Sequence, residues 1–351
     1  MSICPHLNQG AAWEADSQQG PLRLQPAEPY FDNKLNGWIL SRHADVSAAF
    51  HSPDVVLVGP ASKGDFAAVD EDARVRMRAE TRDALSPVAL RAWRRRLLLD
   101  ARARVAHFDC SQTIDLVRDY AEPLCSALAI MATRPDPLPG RHQLKLASEV
   151  SQAAADPFDE HLRYRSKAAT AQLGPLFNRG PETMRDSGFV ALSSTLVSLL
   201  ANAWYALARH PQEWSHLHVR PGLVARAMEE LQRFAGLTRL LFRRAIADTS
   251  INGLSIRKGD RLILNLQAAN RDPWRHPHPH QFCVTRARIS HFSLGAGPHA
   301  CVGAPLLRMA AIATTLPLVE RFSSVQLVPP IEWQGGIGFV FPVALPVLLA
   351  Q

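Results

Sequence analysis

From Gly37 to Phe234 apolar residues recur mostly at the spacing of helices; beyond Phe234 the period shortens and turn residues gather. Gly37–Ser41 reads as a short strand and Ala44–His51 as a helix stopped by Pro53. Residues 70–84 and 88–108 are helical in pattern and rich in arginine. Ile114–Thr133 continues helical with a break at Pro123, and Pro135, Pro137, Pro139 and Gly140 mark a loop. Helical pattern resumes over Gln143–Phe177, weakened at Asp156-Pro157, and again over Ser187–Arg209 and Pro221–Phe234. Leu241–Asp248 and Arg261–Asn265 then read as strands, with turns at Asn252-Gly253 and Gly259-Asp260. A Pro/His-rich loop over Pro273–Phe282 leads to a last long helix, Val302–Phe322, and to short strands at the C-terminus. The expected class is mainly α with small β-sheets, as one domain over 1–351 with an irregular N-terminal segment at 1–36.

Composition bounds this further. Of 351 residues, 47% are hydrophobic and 20% charged, which suits a globular protein with a large core. The first twenty residues lack the apolar run of a signal peptide, and the apolar tail Phe339–Ala350 is short and broken by Pro342 and Pro346. A cytoplasmic protein without a membrane anchor is expected. The five cysteines are scattered and have no CxxC spacing, which argues against a disulfide framework or a zinc finger. A net charge of +7 invites thoughts of nucleic acid, but no nucleic-acid motif accompanies the densest cluster, Arg91, Arg94, Arg95 and Arg96. By itself that cluster is a solvated helix face.

The sharpest local feature is Leu294-Gly295-Ala296-Gly297-Pro298-His299-Ala300-Cys301-Val302-Gly303. A glycine-rich turn delivers a cysteine to the expected first position of a long helix, whose positive dipole end lowers a thiol pKa. Glycines let backbone N–H groups approach sulfur and a flat ligand. Taken alone, Cys301 would more often be a buried structural cysteine. Upstream, Glu230 and Arg233 are spaced to pair on one helix face, as on any helix.

Together these stretches resemble the cytochrome P450 family, whose bacterial members carry Phe-Gly-x-Gly-x-His-x-Cys-x-Gly. Gly295, Gly297, His299, Cys301 and Gly303 match, and Leu294 stands in place of the phenylalanine. Glu230-Leu231-Gln232-Arg233 falls where the family has Glu-x-x-Arg, and Asn270-Arg271-Asp272-Pro273 matches its Asn-Arg-Asp-Pro. The family usually locks its Glu–Arg pair with a second arginine; Gln281 occupies that place here, so a weaker lock is expected.

The resemblance implies the P450 fold and haem b (iron protoporphyrin IX) ligated by the Cys301 thiolate, which pushes electron density onto iron. It implies that Leu294 and Gly295 line the sulfur. It assigns the propionates to Arg74, Arg78, Arg243 and His299, whose plain alternatives are a solvated helix face for the first two and a loop histidine for the last. The His276, His278 and His280 tract is then the family's loop before the cysteine rather than a metal site.

Counting back from His210-Pro211 sets Ala191-Leu192-Ser193-Ser194-Thr195 against the family's Ala-Gly-x-(Asp/Glu)-Thr. That motif pairs an acid with an alcohol for proton delivery. Thr195 keeps the alcohol, Ser194 replaces the acid and Leu192 replaces the glycine. Alternatively these hydroxyls only back-bond to helix carbonyls. The chain is also short for the family, chiefly at the N-terminus and between Pro87 and Ala191.

The resemblance implies a monooxygenase acting on a small apolar substrate with electrons from a ferredoxin-type donor. A peroxide-driven or non-oxygenating haem-thiolate enzyme, and a non-catalytic binding module on the same fold, are the alternatives.

Overall fold

Gly37–Leu40 forms the strand its apolar run predicts and pairs in parallel with Arg261–Asn265, with Trp38 opposite Leu262. The computed structural model describes residues 25–60, 66–68, 71–155, 159–177 and 186–351. The sequence readings at the extreme N-terminus and at Asp156-Pro157 lie outside the described residues. The chain divides into two units.

The first unit holds Met1–Glu71, Glu229–Cys301 and Ile337–Val340. Its sheet has six strands in the order Tyr30–Asp32, Gly37–Leu40, Arg261–Asn265, Leu240–Ala245, Val55–Pro60, Phe66–Ala68. The expectation that 1–36 is irregular therefore fails at Tyr30–Asp32, which pairs antiparallel with Gly37–Leu40. Asn252 and Gly253 both have positive φ, 47° and 88°, and close a two-residue hairpin between Thr249–Ile251 and Leu254–Ile256. That is the turn Asn-Gly favours, because its twist matches the strands. Helix His43–His51 buries Val46, Ala49 and Phe50 on one face, and these join Leu40, Leu262, Leu264 and Phe292 in the unit's core.

The second unit holds Asp72–Met228, Val302–Gly336 and Phe341–Gln351 and is mostly helical. Helices Glu71–Ala84 and Pro87–Ala106 match the arginine-rich readings, and Ser86 caps the second by accepting from Ala89 N at 3.3 Å. Ile114–Asp115 is a strand instead of a helix start, pairing with Pro346–Ala350. A π-helical turn over Leu116–Ala121 then leads into Glu122–Thr133, with Pro123 tolerated in the first turn.

Gly188–Ala208 is by length and composition apolar enough to cross a bilayer, but 78% of its apolar window is buried inside the fold. Its Trp204 Nε1 donates to Thr315 Oγ1 at 2.9 Å on the last long helix, Ala304–Arg321, so this face is core. Tyr120 OH likewise donates to the carbonyl oxygen of Thr314 at 2.6 Å. Burial pushes the Tyr120 phenol well above its ordinary range. Among the described residues Cys110, Cys125 and Cys301 are free thiols.

Candidate functional site

The cysteine loop is held by its own backbone. Gly295 N donates to Phe292 O at 2.8 Å, and Cys301 N donates to Leu294 O at 2.7 Å, so the segment between them closes on itself. Gly295 and Gly297 both adopt left-handed backbone, φ 70° and 62°. At Gly297 a Cβ would stand 2.6 Å from the carbonyl oxygen of Phe50, so glycine is required by both conformation and space. His299 ends the short 3-10 turn Gly297–His299. Cys301 is exposed. It does not open the following helix, as the sequence led us to expect. That helix begins at Ala304 behind Gly303 as its N-cap, so Cys301 lies two residues ahead of the cap. The loop's own carbonyl, rather than the helix, fixes its backbone.

Arg243 is the most telling side chain near this loop. It sits mid-strand, between Leu262 and Leu57 of the neighbouring strands, and is 2% exposed. Its guanidinium stacks over the Phe50 ring, 5.5 Å from the centroid, and Nη1 donates to Phe242 O at 2.9 Å. Nε has no hydrogen-bond partner among the described residues. Burial draws its pKa down from the ordinary arginine range to about 10. A buried cation so poorly satisfied calls for an anion. Phe50 is therefore the meeting point of Arg243, through its ring, and of Gly297, through its carbonyl.

Behind the loop lies a dense polar lock. Arg233 is bidentate to Glu230, with Nε and Nη2 each 2.8 Å from a carboxylate oxygen, and both side chains are fully buried. Arg233 also donates to the carbonyl oxygens of Asn270, Pro279 and Gln281. The second cation is present after all. Arg286 Nε donates to Glu230 Oε1 at 2.9 Å, and its other nitrogens reach Pro277 O, His278 O and Gln281 O. The weaker lock expected from Gln281 is overturned, because an arginine five residues later reaches the same carboxylate. Asn270 ties the lock to the loop, its Oδ1 accepting from Phe292 N at 2.8 Å and its Nδ2 donating to Ser293 Oγ at 2.9 Å. Asp272 accepts from His43 N at 2.7 Å. His276 is buried, and its pKa falls to about 3, chiefly through desolvation.

In the second unit, Arg78 lies half-buried on Glu71–Ala84. Arg74 belongs to the same helix, but its side chain lies outside the described residues. Ala191–Thr195 is a π-helical turn set between Asp186–Val190 and Leu196–Ala208. Such insertions concentrate at functional sites. Here it falls on the five residues that the sequence singled out. Ser193 Oγ donates to Phe189 O at 2.7 Å, the back-bonding alternative. Thr195 does not back-bond: its Oγ1 shares a hydrogen bond of 3.1 Å with Ser151 Oγ on Arg141–Ala155. Leu192 is buried.

Ser194 lines an open cleft of about 560 Å³, with Ser193, Val197 and Ser198 of its own helix. The other walls come from Glu122 and Ser126, from Arg141, Lys145 and Ser148, and from Phe341–Val343. Burial, then repulsion from Asp115, raises the Glu122 carboxyl above its ordinary range. Sequence reading missed Arg286, Ser151 and this cleft. An arginine four residues after Phe282 was a usable signal for the first; the others depend on long-range packing.

Comparison with known proteins gives one consistent family. The cytochrome P450 family model matches residues 200–342, a stretch that holds Glu230, Arg233, Arg243 and the loop through Cys301 but begins after Thr195. The biotin biosynthesis cytochrome P450 of Bacillus subtilis is 36% identical over 145 residues, 41% of this chain and 36% of that protein. The matched part thus spans little more than a third of that relative. Nocardicin C N-oxygenase of Nocardia uniformis is 26% identical over 88% of this chain and 89% of its own. Among solved structures, ligand-free CYP164A2 of Mycobacterium smegmatis superposes with a TM-score of 0.81 at 23% identity, covering 92% of this chain and 93% of that one.

Proposed function

Because the chain belongs to the cytochrome P450 family, we propose that it binds haem b through the Cys301 thiolate. In this reading it inserts one oxygen atom into a small, largely apolar molecule, using dioxygen and electrons from a ferredoxin-type donor. One observation carries the reading. A buried, under-satisfied guanidinium, Arg243, shares Phe50 with the glycine loop that leads to Cys301. A haem presents an iron for the thiol and propionates for the guanidinium, so the residues present fit the group.

When bound, a haem held by cysteine supplies oxidising chemistry in which the thiolate favours O–O cleavage. The chain's own residues do the rest. Cys301 offers sulfur from a loop whose backbone is already bonded, so little ordering remains to be done on binding. Leu294 and Gly295 border the sulfur, and Arg243, His299, Arg78 and Arg74 are the propionate partners. Thr195 and Ser151 can pass a proton between their hydroxyls across 3.1 Å. Ser194 lines an open cleft and does not ionise near neutral pH, so in this reading protons come to it from water. Arg91, Arg94 and Arg95 are exposed on Pro87–Ala106 and would steer an acidic carrier, while Arg96 is engaged by Asp100 at 2.9 Å. We read the whole chain as one soluble, cytoplasmic functional domain, without nucleic-acid or membrane partners.

A second reading, peroxide-driven turnover, is favoured by one substitution, Ser194 in place of the family's acid. The deciding experiment measures haem content of the purified chain, then product formed with an electron donor and dioxygen against product formed with added peroxide. Absence of haem after reconstitution overturns both readings. Haem without oxygenated product under either condition leaves non-oxygenating haem-thiolate chemistry or a silent binding module.

A further inference from the structure

The cleft beside the π-helical turn carries more chemistry than a proton path needs. Helix Arg141–Ala155 presents one stripe to it, Arg141, Leu144, Lys145 and Ser148, the three-and-four spacing of a single face. Among the described residues neither Arg141 nor Lys145 has a carboxylate partner within ion-pair distance. Across the cleft stand the hydroxyls of Ser126, Ser193, Ser194 and Ser198. Ser198 donates back to Ser194 O at 3.4 Å and Ser193 to Phe189 O, whereas no such bond engages Ser194. Val117, Val197, Phe341 and Pro342 give the same cleft an apolar side. Its volume, about 560 Å³, is that of a site for a small organic molecule. Glu122 is the one acid among the described residues that line it, and burial, then repulsion from Asp115, raises its carboxyl above the ordinary range.

We propose that this cleft binds an amphipathic oxyanion, an apolar body ending in a carboxylate or phosphate, with Arg141 and Lys145 on the anionic end. Serine hydroxyls donate to the same oxygens, and Val117, Val197, Phe341 and Pro342 cover the body. The binding itself does not depend on haem. The further statement that this ligand is the substrate rests on the haem-thiolate reading, and haem content, measured separately, tells the two failures apart.

The test is calorimetry on the full-length chain as purified, at low salt, with octanoate, octyl phosphate and 1-octanol as probes. One or both anions should bind more tightly than the alcohol, and added salt should weaken them alone. Arg141→Ala and Lys145→Ala should each weaken anion binding by about three- to fivefold, as expected for exposed charges. Glu122→Gln should strengthen it at neutral pH, a gain that a misfolded variant would not give. Equal binding of octanoate, octyl phosphate and 1-octanol would overturn the proposal. So would anion affinity unchanged in the Arg141/Lys145 double variant, or a fall in affinity in Glu122→Gln.

Discussion

Replacing Arg243 with methionine should move two quantities in opposite directions. In the apo-protein Arg243 is a buried cation with, among the described residues, one backbone acceptor and a stacked ring. The fall of its pKa from the ordinary arginine value to about 10 by burial corresponds to about 3 kcal/mol against the charged form. The unfolded chain binds the extra proton between those two values, so stability rises with pH across that window, and the penalty is fully present at neutral pH. Methionine fills much of the same volume without a charge, and such replacements of buried ions are neutral or stabilising. Apo-protein stability by urea unfolding should therefore hold or rise, by up to about 3 kcal/mol. Haem retention should fall. Loss of a charged hydrogen bond to a buried carboxylate removes about 1.5–3 kcal/mol, roughly 10- to 150-fold in haem affinity. Haem transfer to excess apomyoglobin measures the second quantity. A variant that loses apo stability while keeping parental haem affinity would show that Arg243 is a structural cation and not an anion partner.

Arg286→Ala should destabilise the fold by about 1.5–3 kcal/mol in urea, because Glu230 is fully buried and loses a charged donor. Gln281→Ala should be near neutral, since Gln281 serves the lock through its main-chain oxygen; equal losses in the two variants would restore a role for the amide. Ser194→Asp should raise product formed per electron and lower peroxide release in donor-driven turnover; a fall in coupling would show another proton path. Glu122, with its folded pKa raised above the ordinary 4.5, holds its proton over a window in which the unfolded chain has released it. Stability therefore falls as pH rises through that window, and the penalty is complete above it. The Tm advantage of Glu122→Gln should accordingly grow as pH rises through that window, and a constant difference would refute the shift.

Residues with strong local rules were legible. The Asn252-Gly253 turn, the stop at His210-Pro211 and the pairing of Glu230 with Arg233 all follow from chemistry within a few positions. The glycine loop was legible as well, since Gly295 and Gly297 carry the positive φ that only glycine adopts freely. What escaped was set at long range. Tyr30–Asp32 is a strand only because Gly37–Leu40 offers it an edge. The π-helical turn at Ala191–Thr195 has no composition of its own; one extra residue per turn is a choice made by packing. Arg286 escaped because the reading fixed on the position of Gln281, while the carboxylate only requires a guanidinium within reach. The start of the last helix was misplaced by two residues, because a Gly-Ala-Pro run permits the first turn at either place.

The central claim is that Cys301 is the iron ligand. The most direct measurement is the absorption spectrum of the reduced, carbon-monoxide-bound protein, taken on the parent and on Cys301→Ala at matched haem content. The parent should show the red-shifted Soret band of a thiolate-ligated haem, and Cys301→Ala should lose it while keeping the helical content of the parent by circular dichroism. The same red-shifted band in both proteins would contradict the account.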